Sequence, residues 1–486
     1  MRKFRFRAPV LAGALLLSTA LQAPPAHATT TAPTKATRMA AVQTANTINY
    51  YPSNAGWTAM WTSFDPVRID ADLTRAATLG ATNVRIIVFP TTFGYPVPAA
   101  AYTAKLEQFI DIAETRGLNV KLTLFDWWNG YTDVANSISW AQTLLTPYAD
   151  DPRVIAVELK NEFPPSDTAA VNWVRQVIPA VRTTAPEMPL TLSVDGVSGA
   201  TGMGTLKSAL TTTPLDYYDF HFYGNSERAL AEIRRAQTAV TPDLVVIGET
   251  GVSSYNVSEG EQGAYLGRVL RAATEATVGS VAPWILNDFA TGAIPPNSQV
   301  STQPAQYKYG LYRTDATAKF SASVVGTKWT TGTTPNSILN LSFEAAANES
   351  PWRNYLPQAG AAVITTESPR TGTKSAKFSG TTRVGSNLPS LLTSPITPVQ
   401  PGYLWRAEAY ARGVAATGIT EISLSWFDIN GTWLSQNTSN RLPTGNTSWT
   451  KLVVETAAPA NAAGVQLHLK SGDNTGTVYY DDVAVS

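Results

Sequence analysis

Two glutamates in this chain each end an apolar run: Glu162 in Val154-Ile-Ala-Val-Glu-Leu-Lys-Asn-Glu162, and Glu249 in Leu244-Val-Val-Ile-Gly-Glu249-Thr-Gly. A carboxylate at the end of a buried strand costs desolvation unless it has a partner or a task. Two carboxyl groups at one rim suit general acid catalysis beside nucleophilic attack, the division of labour that breaks a glycosidic bond with retention. Further polar and aromatic groups sit within or at the ends of neighbouring runs: Arg85, Asn161, His221, Tyr223, Trp284, Trp127 and Trp128. Arg85 can hold a carboxylate ionised through a charge-assisted hydrogen bond, and Tyr223 can donate to the same group. Asn161 can bond a sugar hydroxyl, and tryptophan faces suit the C–H faces of a pyranose. Burial and a neighbouring negative charge are expected to keep the acid of the pair protonated. Glu158 competes with Glu162 for that role, or reads as a buried ion-pair partner. His221 reads as a positioning group or a core histidine, and Asp126 and Asp288 as solvated or capping residues. Trp127 and Trp128 are adjacent, so in an extended segment only one can face a cleft.

Composition narrows the chemistry. The chain has no cysteine and three histidines, which excludes disulfides, thiolate catalysis and Cys-ligated zinc, and leaves little for a His-rich metal centre. Carboxylates become the default catalytic groups. Lys and Arg balance Asp and Glu at 36 each. Met1 to Arg7 is basic, Ala8 to Ala23 is apolar, and Ala26-His27-Ala28 has small residues flanking its centre. Residues 1–28 therefore read as a secretory signal peptide, which predicts a secreted, extracellular protein. Nothing in the charge pattern calls for nucleic acid or a membrane surface, and a monomer is expected.

The elements that must position these residues follow the same order. Residues 29–45 are Thr-, Ala- and Lys-rich and read as a flexible leader. Eight apolar runs then alternate with amphipathic stretches: Ile48–Tyr51, Val84–Phe89, Val120–Phe125, Val154–Leu159, Leu190–Val194, Tyr218–Phe222, Leu244–Gly248 and Val281–Ile285. Near-continuous apolar strands separated by helical periods predict parallel pairing, and eight of them over residues 46–330 predict an α/β fold, a (β/α)8 TIM barrel. No Gly-rich phosphate loop follows the first strand, which argues against a doubly wound sheet. Residues 331–336 read as a polar linker that few contacts cross. Beyond it, short alternating runs between Gly, Pro, Asn and Ser predict an all-β sandwich over residues 337–486.

The motifs Val84-Arg85-Ile86, Asn161-Glu162, His221-Phe222-Tyr223, Gly248-Glu249-Thr250-Gly251 and Trp284 resemble, in order and strand placement, those of clan A glycoside hydrolases, most closely family 5, the cellulase and mannanase type. The resemblance covers roughly residues 46–325. It implies Glu162 as acid/base, Glu249 as nucleophile and no cofactor for catalysis. The C-terminal region, with Asn340-Leu-Ser-Phe-Glu344 and Tyr479-Tyr-Asp-Asp482, resembles jelly-roll carbohydrate-binding modules. That resemblance implies a structural calcium, for which Glu344 and Asp482 are the candidate ligands. Of its tryptophans, Trp405 and Trp449 read as core, while Trp352 and Trp433 read as loop residues free to stack on sugar. The expected activity is endo-cleavage of a β-linked polysaccharide, β-1,4-mannan or β-glucan. The alternatives are an exo-acting β-glycosidase on oligosaccharides and a non-catalytic carbohydrate-binding protein.

Overall fold

The computed structural model describes residues 32–334, 342–345, 350–384 and 388–485. The expected signal peptide lies outside the described residues. Among the described residues no helix is long and apolar enough to cross a membrane.

Eight parallel strands form a barrel: Thr47–Asn49, Asn83–Ile87, Asn119–Thr123, Val154–Glu158, the interrupted pair Leu190–Thr191 and Ser193–Val194, Tyr218–Phe222, Val245–Thr250 and Val281–Pro283. Their residues are buried almost throughout, as a sheet covered on both faces requires. The amide of Leu286, just beyond the eighth strand, donates to the carbonyl of Asn49 at 3.1 Å and closes the ring. All eight predicted strands are present, with ends shifted by two residues or fewer. The outer helices include Pro66–Leu79, capped by the Asp65 carboxylate on the amides of Val67 and Arg68. Gly199–Ala209 and Phe320–Thr331 are helices that periodicity did not reveal. The first carries Gly199, Gly202 and Gly204, which dilute its apolar face.

The expected flexible leader is corrected in part: Lys35–Thr44 is a helix, with Thr34 capping the amide of Thr37. Arg38 and Val42, four residues apart, are both buried. Val42 packs with Ile155, Ala156, Tyr217 and Val246. Arg38 donates to the Asp151 carbonyl at 2.9 Å. This helix covers the end of the barrel opposite the two glutamates.

The C-terminal region is built of two antiparallel sheets. Ser375–Thr381, Leu404–Val414, Thr450–Ala457 and Asn474–Val485 belong to one, and Leu388–Thr393, Ile419–Phe427, Trp433–Thr438 and Gly464–Gly472 to the other. Phe378, Ala409 and Tyr480 from the first share one core with Leu424, Trp426 and Leu467 from the second. Trp352, expected in an exposed loop, is buried with its ring 5.5 Å from Phe343. Trp433 is 55% exposed, on a strand rather than a loop.

The expectation that few contacts cross between the two regions is also corrected. Val324 of the last barrel helix belongs to the β-region core, and Phe320 packs against it. The Arg271 guanidinium lies 4.6 Å over the ring of Trp405, and its Nε donates to the Pro398 carbonyl at 3.1 Å. Arg353 pairs with Glu227 at 3.1 Å. A polar linker sequence reports on the linker alone; the apolar faces on either side of it find each other.

Candidate active site

The C-terminal ends of the barrel strands bring the charged residues together around Arg85. Its guanidinium is fully buried and spans five hydrogen bonds. Two go to Glu158, at 2.7 and 3.0 Å, and one each to Glu249 at 2.6 Å, Asn49 at 2.8 Å and Asn161 at 2.7 Å. Glu158 is thus the buried ion-pair partner. Burial alone would raise its pKa, but Arg85 and Lys121 overcome that and hold it well below the usual carboxylate range. Glu249 receives Arg85 on one oxygen and the Tyr223 hydroxyl on the other, at 2.7 Å. Those two donors fix the carboxylate in one orientation.

Glu162 follows the fourth strand in a left-handed backbone conformation, φ 47°, which is strained for a residue with a side chain. Ser193 pins the turn: its hydroxyl accepts the Glu162 amide at 2.7 Å, and its carbonyl accepts the Phe163 amide at 2.8 Å. The Glu162 side chain is 42% exposed, whereas that of Glu249 is buried. His221 Nδ1 lies between them, 3.3 Å from Glu162 and 3.6 Å from Glu249. One oxygen of each carboxylate and a ring nitrogen lie within 4.8 Å of one another. Inverting pairs need about 6.5–9.5 Å between carboxyl groups to admit a water, whereas retaining pairs stand about 5–5.5 Å apart.

The expectation of a Glu162 held protonated by burial is corrected. Burial does push its pKa up, but the hydrogen bond and charge of His221 outweigh it, and the group titrates below its ordinary value. The proton sits on the imidazole instead. Burial disfavours the imidazolium, yet Glu249, the bond to Glu162 and Asp219 together raise His221 to about 9. The Glu162–His221 pair thus holds one proton over the neutral range.

Aromatic rings line one side. Trp127 is 40% exposed and stacks on Trp57, 6.3 Å between centroids and 13° between planes. Trp57 continues the stack onto Tyr51 at 5.3 Å and meets Trp284 edge-on at 5.9 Å. Trp128 does not join them: it packs between Tyr95 and Phe125, with centroids at 4.4 and 5.6 Å. Only one of the adjacent indoles reaches the cleft, though not by strand alternation: the segment is a turn, with Trp127 in the left-handed region at φ 51°. Asp126, expected to be solvated or capping, is buried and accepts a bond from Asn161 at 3.2 Å. Burial pushes it up to about 6 despite Lys160, the Trp127 amide and Asn161. Asp288 is also buried, paired with Lys319 at 2.7 Å.

The candidate calcium ligands do not fit that ion as placed. Glu344 accepts from the amides of Thr373 and Lys374 at 3.0 Å and from the Thr373 hydroxyl at 2.7 Å. Asp482 pairs with Arg370 and the Thr371 hydroxyl. Both carboxylates face N–H and O–H donors, where calcium needs six to eight oxygen ligands. At the barrel mouth, Glu162, His221 and Glu249 have the donor types of a metal site, but Arg85 already supplies the positive charge there.

Sequence reasoning missed Trp57, Tyr51, Ser193, Asn49, Lys121 and Asp219. Lys121 and Asp219 carried a usable signal, since both are charged residues inside apolar runs, as Glu158 is.

The family model for Cellulase (glycosyl hydrolase family 5) matches residues 42–290. Endoglucanase CelA from Streptomyces lividans is 25% identical over 214 residues, which is 42% of this chain and 46% of that protein, so the chain spans about half of its relative's length. Among solved structures, the exo-beta-1,4-mannosidase Op5Man5 from Opitutaceae bacterium strain TAV5 is similar at a TM-score of 0.50 and 20% identity, over 59% of each chain. GH5_18 from Streptomyces cattleya, in complex with GlcNAc, is similar at a TM-score of 0.51 and 19% identity, over 60% of this chain and 82% of that one. These likenesses agree with the barrel seen here, and with a matched region that holds Arg85, Asn161, Glu162, His221, Tyr223, Glu249 and Trp284, the chain belongs to glycoside hydrolase family 5.

Proposed function

We propose that this glycoside hydrolase is secreted, acts as a monomer, and cleaves internal linkages of β-1,4-mannan or β-glucan with retention, by double displacement. The observation that carries the reading is the approach of the Glu162 and Glu249 oxygens to within 4.8 Å, with Arg85 and Tyr223 both donating to Glu249. Glu249 attacks the anomeric carbon while Glu162, taking the proton it shares with His221, protonates the departing oxygen. The glycosyl–Glu249 ester then forms, and Glu162, now a carboxylate, removes a proton from the water that hydrolyses it. Asn161 is held by Arg85 and Asp126 with its amide fixed for a sugar hydroxyl. Exposed Trp127, backed by Trp57, offers a stacking face next to the carboxylates.

The substrate reading draws on relatives that include an endoglucanase and an exo-β-1,4-mannosidase. We read the β region as a jelly-roll module that presents Trp433 to the polymer. The test is incubation with mannan, cellulose, mixed-linkage glucan and xylan, with chromatography of early products. A ladder of oligosaccharides from mannan or glucan is expected. Release of a single short product from chain ends would overturn endo action, and no cleavage of any β-glycan would overturn the reading.

A further inference from the structure

We propose that Asp219, carried by Lys121, is a positioning residue that pins a bulge in the seventh strand and so sets the aim of Glu249; this rests on Glu249 being the nucleophile. The register between the sixth and seventh strands shifts at this point. Asp219 lies opposite Val246, but His221, two residues on, lies opposite Glu249, three residues on. The extra residue belongs to the Ile247–Gly248 segment. Bulges beside active sites re-aim the side chains that follow.

A bulge frees backbone groups that a buried strand must satisfy elsewhere. Here side chains do so. The Gly248 amide donates to Asp219 Oδ1 at 2.8 Å, and its carbonyl accepts from Asn49 Nδ2 at 2.9 Å. The Asp219 carboxylate fills the space beside Gly248, so a Cβ there would overlap it. Lys121 Nζ is bonded to Asp219 Oδ2 and stands 3.2 Å from Glu158, the main partner of Arg85. A closed ring results: Arg85, Glu158, Lys121, Asp219, the Gly248–Glu249 backbone, and Arg85 again through the Glu249 carboxylate. Asp219 also lies 3.9 Å behind His221 Nε2, a buried nitrogen without a hydrogen-bond partner among the described residues. Buried ion pairs are often matched or bettered in stability by apolar residues of similar volume. A buried Lys–Asp pair therefore needs a reason beyond stability, and the bulge before Glu249 supplies one.

The experiment uses the full chain and an aryl β-glycoside of a substrate sugar with a good leaving group. Its glycosylation step needs no proton and so reads nucleophile aim alone. Asp219→Ala should slow that step, read as the pre-steady-state release of the aryl group, by at least about 100-fold, the scale expected for a displaced reacting group, with the substrate concentration that half-saturates that rate changed far less. Asp219→Asn combined with Lys121→Met should recover at least about tenfold of that loss, because the amide oxygen can again accept from Gly248 with no second donor competing for it. Should Asp219→Ala not fold, Asp219→Asn alone supplies the defect, since Gly248 and Lys121 donate to different carboxylate oxygens and the amide must turn its NH2 toward one of those two donors. Glycosylation by the single variants within about threefold of the parent rate, or a double variant no faster than its folded single, would overturn the proposal. If a 2-deoxy-2-fluoro β-glycoside with a good leaving group covalently labels a residue other than Glu249 in the unaltered enzyme, the reading of Glu249 as nucleophile fails, whatever the Asp219 variants do.

Discussion

Replacing Arg85 by lysine keeps one positive charge and removes the fork that spans two carboxylates. The guanidinium makes five bonds from its buried place on the second strand. An ammonium is a single point with three donors, so it can stay with Glu158 or reach Glu249, but not both. Bonds to charged groups contribute about 1.5–3 kcal/mol each, so losing those to Glu249 and Asn161 costs about 3–6 kcal/mol. If Glu249 and Asn161 need those bonds in the transition state, kcat/KM falls by roughly 10²–10⁴-fold. The assay is steady-state hydrolysis of a soluble substrate beside a thermal melt, so that a folded but slow variant is told apart from an unfolded one. A folded Arg85→Lys enzyme within about fivefold of the parent would refute the view that Arg85 orients both groups.

Other outcomes follow from the same geometry. Glu249→Ala should lose turnover and regain it with azide as the opposite-anomer glycosyl azide, whereas Glu162→Ala should still cleave substrates with activated leaving groups; the reverse pattern, read by mass spectrometry and NMR, would exchange the roles. Trp127→Ala should raise KM with little change in melting temperature, and Trp128→Ala should lower the melting temperature, since only the second ring is packed. Truncation after residue 334 should destabilise the barrel by about 3 kcal/mol or more, because Val324 and Phe320 lose the core they share with the β region; an unchanged melt would show that interface to be dispensable.

Much of the barrel could be read beforehand because parallel strands buried on both faces are apolar runs, and helical periods separate them. The two glutamates stood out for a related reason: a carboxylate that ends such a run is conspicuous. Lys121 and Asp219 broke the same rule from inside their strands, but their opposite charges meet only across the barrel, which no local pattern shows. Trp57 lies in a loop, and its partners Tyr51 and Trp127 are set by the chain's return to the mouth. The protonation of Glu162 depended on an imidazole 59 residues away in sequence. Trp352 and the helix Lys35–Thr44 were misread because Pro, Asn, Thr and Ala around them suggest loops, while tertiary packing buries Trp352 and the Arg38–Val42 face of the helix.

The central claim is that Glu162 and Glu249 are a retaining pair. Proton NMR of hydrolysis, begun at high enzyme concentration and followed before mutarotation, reads the anomer formed first. The account predicts that the β-anomer appears first from a β-linked substrate, with the α-anomer growing in only later. An α-anomer formed first would contradict it, whatever the carboxylate spacing.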